Sequence, residues 1–440
     1  MKLSEIIDVF IAGDWGNESL SIETPHAISC VRGADIVPIS NNEFVNIPLR
    51  YVSDRSFQQK LLQVGDIVIE KSGGSPTQST GRAVYISQAL LSASKNVVCS
   101  NFCVAFRVKE RWNSYFIYQY WQYLYNSGVF FNFEGKTSGI KNLQLDIALS
   151  TIEIEPYPIE KQISIANCLE AFEEKIAINR SINHNLEAMA KQLYDYWFVQ
   201  FDFPNEEGKP YKSNGGEMIY SDALKKYIPK GWTHSPLQEL VDLEDSKRIP
   251  LSNAQRAERK GEFPYYGATG IMDYIDDFIF DYDILLLAED GSTSDSNGFP
   301  VVQYVWGEVW VNNHAHIILP KDRAHLIYTY FLLKSIPVKM IETGSIQKKI
   351  SQDNLLGYKA INVPKRLRDI YTERIKPMWE QKKLATEGII QLTKQRDILL
   401  PLLMNGQAMV NYDLPECHWL YRDFKAVSLF MGIAGLEISH

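Results

Sequence analysis

The run Lys71-Ser72-Gly73-Gly74-Ser75-Pro76-Thr77-Gln78-Ser79-Thr80-Gly81-Arg82 concentrates cations, hydroxyls, an amide and small residues in one stretch. Ammonium and guanidinium groups hold phosphates, hydroxyls and amides reach base edges, and glycine lets a backbone come close to a ligand. Lys136, Thr137, Ser138, Lys141 and Asn142 form a second loop of the same character. Later in the chain Ser345, Gln347, Lys348 and Lys349 offer a counterpart, and Asn312, Asn313 and His314 add two amides and an imidazole. Each loop also suits an ordinary solvated turn, so composition alone leaves both readings open.

Groups for covalent chemistry are not arranged for it. The sequence holds no Gly-x-x-x-x-Gly-Lys-Ser/Thr phosphate loop, no Gly-x-Gly-x-x-Gly run and no Asn-Pro-Pro-Tyr methyltransferase signature. No catalytic residue is assigned. His314-Ala315-His316 puts two imidazoles at strand spacing, where a metal could bind, but a third ligand close in sequence is lacking. Cys99 and Cys103 sit in an apolar run and read as core rather than as ligands. Asp202 with Glu207-Gly208-Lys209 follows the order of a metal-dependent nuclease, yet lies among prolines and glycines. That chemistry needs rigidly held carboxylates. No metal site is expected.

The elements that must position the polar loops are written twice. Gly65-Asp66-Ile67-Val68-Ile69-Glu70 is echoed by Tyr282-Asp283-Ile284-Leu285-Leu286-Leu287, Val97 to Phe102 by Val309 to His314, and Ile117-Tyr118-Gln119-Tyr120 by Ile327-Tyr328-Thr329-Tyr330. Thr137 to Leu143 loosely matches Thr343 to Lys349. Four echoes in one order imply two homologous domains.

After each copy the apolar pattern turns helical. Ile165, Leu169, Phe172, Ile176, Asn179, Asn183, Leu186, Ala190, Leu193 and Trp197 alternate by three and four, the period of a coiled-coil seam. Two asparagines inside a seam cost stability while fixing register, unless they face solvent. Tyr371, Ile375, Met378, Ala385, Ile389, Leu392, Leu399 and Leu403 form a matching stripe. Pro377 is expected to start or kink this second helix, and Pro401 with Gly406 to end it. Two such stripes bury each other when the helices pair, and antiparallel pairing implies a module at each end.

The expected fold is α+β: two homologous mixed α/β recognition domains separated by two long antiparallel helices forming a coiled coil. The boundaries are 1–157 for the first domain, 158–201 for the central helix, 202–231 for a turn-rich connector, 232–365 for the second domain, 366–406 for the distal helix and 407–440 for a tail without a repeat partner. Length and apolar content suffice for such cores in a chain of 440 residues. Five scattered cysteines, Cys30, Cys99, Cys103, Cys168 and Cys417, read as reduced thiols. Neither a signal peptide nor a membrane span is evident, so a cytoplasmic protein is expected. The formal charge of -8 does not mark a nucleic-acid binder, although local Lys and Arg clusters can still track phosphates.

Several motifs resemble one family. Ile159-Glu160-Lys161-Gln162 through Leu169, Asn185-Leu186-Glu187-Ala188-Met189-Ala190 and Trp197-Phe198-Val199-Gln200-Phe201-Asp202 are similar to the central conserved region of specificity (S) subunits of type I restriction-modification enzymes. Ile228-Pro229-Lys230-Gly231-Trp232, Tyr265-Tyr266-Gly267-Ala268-Thr269-Gly270-Ile271 and Arg396-Asp397-Ile398-Leu399-Leu400-Pro401 resemble its second recognition domain and distal region. The resemblance implies a non-catalytic chain in which each domain recognises half of a split site in double-stranded DNA. It adds Tyr266 and Thr269 to the candidate contacts. The helices would dock methyltransferase (M) subunits, and restriction (R) subunits would join them. It implies no cofactor on this chain; S-adenosylmethionine, ATP and Mg belong to the partner subunits. A coiled-coil scaffold for proteins and a metal-dependent nuclease are the alternatives.

Overall fold

The computed structural model describes residues 1–73, 78–137, 140–344 and 348–410, together with the strand Glu437–Ile438. The chain divides into two compact units, one of residues 1–181 with 386–440 and the other of residues 182–385. Among the described residues no helix is long and apolar enough to cross a membrane.

The first unit is built on a four-stranded antiparallel sheet in the order Ile7–Ala12, Cys103–Val108, Ile67–Glu70, Ala83–Tyr85. All four residues of Ile67–Glu70 are buried, as a strand covered on both faces requires. A smaller sheet pairs His26–Val31 antiparallel with Leu49–Val52 and parallel with Val97–Cys99. The helix Ser114–Asn126, started by the Asn113 side chain accepting from Phe116 N at 2.8 Å, lays Phe116, Ile117 and Trp121 into the core. Cys30, Cys99 and Cys103 are buried free thiols, and burial pushes Cys30 up to about 12 and Cys103 up to about 11. These are core side chains, poorly suited to hold a metal as thiolates.

The second unit repeats this plan. Its four-stranded antiparallel sheet runs Val241–Leu243, Ala315–Pro320, Ile284–Ala288, Val302–Val305. Lys260–Tyr266 pairs antiparallel with Ile271–Ile275 and parallel with Trp310–Val311, as in the smaller sheet of the first unit. The helix Leu326–Lys334 is buried from Leu326 through Leu333, consistent with its apolar residues on every side. The duplication read from the sequence is therefore a duplication of topology.

Residues 202–231 are more ordered than their proline and glycine content suggests. The Phe203 ring stacks on Tyr211 at 4.7 Å and on Trp232 at 4.9 Å, and Met218–Ser221 pairs with Lys226–Pro229 as a hairpin. Aromatic burial anchors what the turn residues alone would leave solvated.

The central helix spans Ile159–Tyr194 and continues into one wide π-type turn, Asp195–Val199; the distal helix spans Lys365–Met404. In the first unit Ile165 and Leu169 share a core with Leu399 and Leu403, and Arg396 Nη1 meets Glu173 Oε1 at 2.5 Å. In the second, Tyr371 Oη donates to Ala190 O at 3.0 Å and Lys382 Nζ lies 3.3 Å from Glu187. Rising numbers on one helix meet falling numbers on the other, so the pairing is antiparallel in each unit. Of the residues expected in the seam, Ile165, Leu169, Ile176, Leu392 and Leu399 are buried, while Phe172, Leu186, Leu193 and Ile389 are half-buried. Asn179 faces the partner helix, its Nδ2 only 3.0 Å from where a Cβ on Gly388 would stand. Pro377 does not start the distal helix, which begins twelve residues earlier, at Lys365. Burial of Tyr371, Ile375 and Trp379 on either side of the proline outweighs the hydrogen bond it forgoes. Pro401 also lies inside the helix, and Gly406, at φ +77°, follows its end.

Candidate nucleic-acid interface

In the first unit the candidate loop leaves the strand Ile67–Glu70 and returns along Ala83–Tyr85. Lys71 is exposed, and its carbonyl accepts from Leu143 N at 2.8 Å, which ties the loop to the neighbouring hairpin Glu134–Thr137/Ile140–Leu143. Gly73 pairs with Lys141, and Ser72 Oγ donates to the Asn142 side chain. Arg82 is not a free loop cation. Its Nε and Nη2 donate to Glu70 at 2.8 and 2.6 Å, and that carboxylate is 3% exposed. A buried carboxylate needs such a partner. Gly73 and Gly33 both crowd it, since a Cβ at either would lie 2.6 or 2.5 Å from Glu70 Oε1.

The hairpins of the two units share an internal support. Glu134 accepts from Thr80 N at 2.8 Å and pairs with Lys141 at 3.0 Å. Glu342 accepts from Thr293 Oγ1 and pairs with Lys348 at 3.1 Å. The backbone registers make these positions equivalent: Leu143 N donates to Lys71 O, and Ile350 N donates to Glu289 O. Lys141 is largely covered, lying 5.3 Å from the Phe131 ring, whereas the Lys348 side chain is 52% exposed. Gln78 is exposed, and its carbonyl accepts from Lys141 Nζ at 3.4 Å. Lys136 lies on the hairpin opposite Lys141. Gly74, Ser75, Thr77, Ser138, Ser345 and Gln347 lie outside the described residues.

In the second unit Tyr266, Thr269, Asn312, Asn313 and His314 come together. Tyr266 O accepts from Asn312 N at 3.1 Å, and Gly267 N donates to Gly270 O at 2.8 Å, closing a turn that exposes Thr269. Asn312 is buried, and its Oδ1 accepts from His314 N at 2.8 Å, leaving Asn313 and His314 on the surface. Asp290 orients the His314 ring at 2.9 Å. Tyr266 is half-buried, which pushes its hydroxyl up to about 12 and keeps it a neutral donor. The equivalent surface of the first unit presents Phe102, 59% exposed, beside Lys71, whose N–H donates to Phe102 O at 2.8 Å. The sequence repeat carried the signal for Phe102, opposite His314. Gln303, whose amide holds the Gly267–Gly270 turn, had no such signal.

The two histidines of His314-Ala315-His316 separate. His316 is buried, with Nδ1 2.6 Å from Asp245 and Nε2 donating to Ile350 O at 2.8 Å. Burial alone would lower the His316 pKa, but those two bonds outweigh it and hold the ring above its ordinary range. Arg248 and Lys349 reach the adjoining Glu289 at 2.7 and 2.9 Å, so protein cations already balance Asp245 and Glu289. In the other acid-and-histidine group among the described residues, Asp322, His325 and Asp369, the Lys365 ammonium bridges both carboxylates. Asp202 accepts from Ser213 N and Oγ at 2.7 and 2.6 Å, a turn-capping role.

A family model described as the type I restriction modification DNA specificity domain matches residues 36–188 and 229–367. The chain is 28% identical over 279 residues to the type I restriction enzyme MjaIX specificity subunit of Methanocaldococcus jannaschii, covering 60% of this chain and 62% of that one. It is 30% identical over 120 residues to a type I restriction enzyme specificity subunit of Haemophilus influenzae, covering 27% of this chain and 30% of that one. The chain thus spans less than two thirds of either relative. A crystal structure of a type I restriction-modification system S subunit from M. genitalium superposes with a TM-score of 0.51 over 92% of this chain and 95% of that one, at 16% identity, a likeness of fold.

Proposed function

The chain belongs to the type I restriction modification DNA specificity family, and from that premise we propose that it selects the DNA sequence on which a type I restriction-modification complex acts. Each recognition domain reads one half of a bipartite site in double-stranded DNA. The paired helices dock methyltransferase (M) subunits, with restriction (R) subunits as further partners. The observation that carries this reading is the repeated topology bearing different side chains at equivalent surface positions, Phe102 against His314 and Asn142 against Lys349. Equivalent frames with unlike contacts suit two half-sites of unlike sequence.

In this reading the chain is not itself an enzyme. S-adenosylmethionine, ATP and Mg serve the partner subunits, and those subunits contribute much of the phosphate grip that an acidic chain lacks. Against the nuclease alternative, Asp202 serves a turn through Ser213 and Glu207 lies in an exposed pair with Lys209, so neither is held on a strand as that chemistry needs. The test is to map methylated DNA in cells carrying this chain and its methyltransferase. Methylation confined to one split motif is expected; methylation without sequence preference would favour a protein scaffold instead.

A further inference from the structure

Gln303 lies on the edge strand Val302–Val305 of the second unit, and its Nε2 donates to two consecutive carbonyls, Gly267 O at 3.2 Å and Ala268 O at 3.0 Å. One amide thus restrains both halves of a turn already closed by the Gly267 to Gly270 bond. The following strand packs back on the turn: Met272 Sδ lies 3.2 Å from Asn312 Nδ2, and a Cβ on Gly267 would come within 2.4 Å of the same sulfur. Gly267 is the residue that allows this approach.

The secured tip is apolar where a turn is usually polar. Ile271 is 42% exposed and Met272 54% exposed, beside exposed Thr269. Exposed apolar side chains held in fixed positions suit a partner that offers an apolar feature among hydrogen-bonding groups. The thymine C5-methyl is that feature in the major groove. The equivalent segment of the first unit follows Val31, which pairs with Cys99 as Tyr266 pairs with Val311. There Arg32 Nε and Nη2 donate to Asp35 at 2.9 and 2.8 Å, giving a charged turn in place of the apolar one.

We propose that the Gly267–Gly270 turn, clamped by Gln303, determines the half-site read by the second domain, and that Ile271 and Met272 select an A·T pair there through the thymine methyl. Gln303 is a positioning residue, acting through the turn. This rests on the DNA-recognition reading above.

The test uses the full chain assembled with its methyltransferase subunits and maps methylated sites. For Met272→Gln, discrimination for A·T is expected to fall roughly fourfold, the worth of one buried methyl-sized group, at one position of one half-site, while the other half-site and the spacing stay the same. Gln303→Ala is expected to relax the same half-site with assembly intact. A wild-type complex that is sequence-specific, with both variants retaining its methylation pattern or altering the other half-site, would overturn this inference alone. A wild-type complex without sequence preference would overturn the function and the inference together. Met272 is a surface side chain, so its variant keeps the test informative even if Gln303→Ala impairs folding.

Discussion

Glu187 on the central helix and Lys334 at the end of the helix Leu326–Lys334 meet at 2.7 Å, although 147 residues separate them in sequence. Tyr330 Oη also donates to this carboxylate at 2.7 Å. Burial would raise the Glu187 pKa, but Lys334 and Lys382 outweigh it and bring it down to about 2. A carboxylate whose folded pKa is depressed stabilises the fold above its unfolded value of about 4.3 and loses that contribution as pH falls toward the folded one. Glu187→Gln is therefore expected to cost roughly 2–3 kcal/mol at neutral pH, with the difference from wild type closing between about pH 4 and pH 2. Denaturant unfolding across that range measures it.

Gly388 and Asn179 make a second pair that can be tested. Alanine is the better helix former by about 1 kcal/mol, but a Cβ at Gly388 would press on the Asn179 amide at 3.0 Å. Gly388→Ala alone is expected to gain little or nothing. In an Asn179→Ala background the same change should stabilise by roughly 0.5–1 kcal/mol. Equal effects in both backgrounds would contradict packing of this asparagine against the distal helix.

Arg82 bears on the first domain as a whole. Replacing it with Met leaves the Glu70 carboxylate buried and unpaired, for an expected loss of about 3–5 kcal/mol. The double variant Arg82→Met with Glu70→Gln should recover a large part of that. If Arg82 instead faced DNA, Arg82→Met would weaken binding and leave the melting temperature unchanged.

Exchanging Lys71 and Ser72 for residues of another loop, with Gly73 kept because a Cβ there would meet Glu70, tests the division of labour. One half-site should change, with the other half-site and complex assembly unaffected. The readout is methylation mapping beside a pull-down with the methyltransferase; failed assembly would mark the segment as structural.

The architecture was legible because its signals are local or periodic. Alternating three- and four-residue spacing from Ile165 to Trp197 specifies a buried stripe, and echoes such as Val97 to Phe102 against Val309 to His314 specify a repeated frame. Pro377 misled as a helix start, because a local helix-breaking preference competes with burial of side chains from distant segments. The packing of the turn-rich connector was not legible for the same reason: Phe203 finds Tyr211 and Trp232 only once the chain is folded.

For the interface, the sequence by itself determined the stock of cations, amides and hydroxyls and the order in which they occur. Only the tertiary structure decided their orientation. It turned Arg82 inward to a buried carboxylate, separated His314 from His316 by burial, and recruited Gln303 to a turn 35 residues away. The physical reason is that ion pairs and hydrogen bonds in a covered site depend on which strands become neighbours. Strand pairing is a non-local outcome of core burial, which loop composition does not encode.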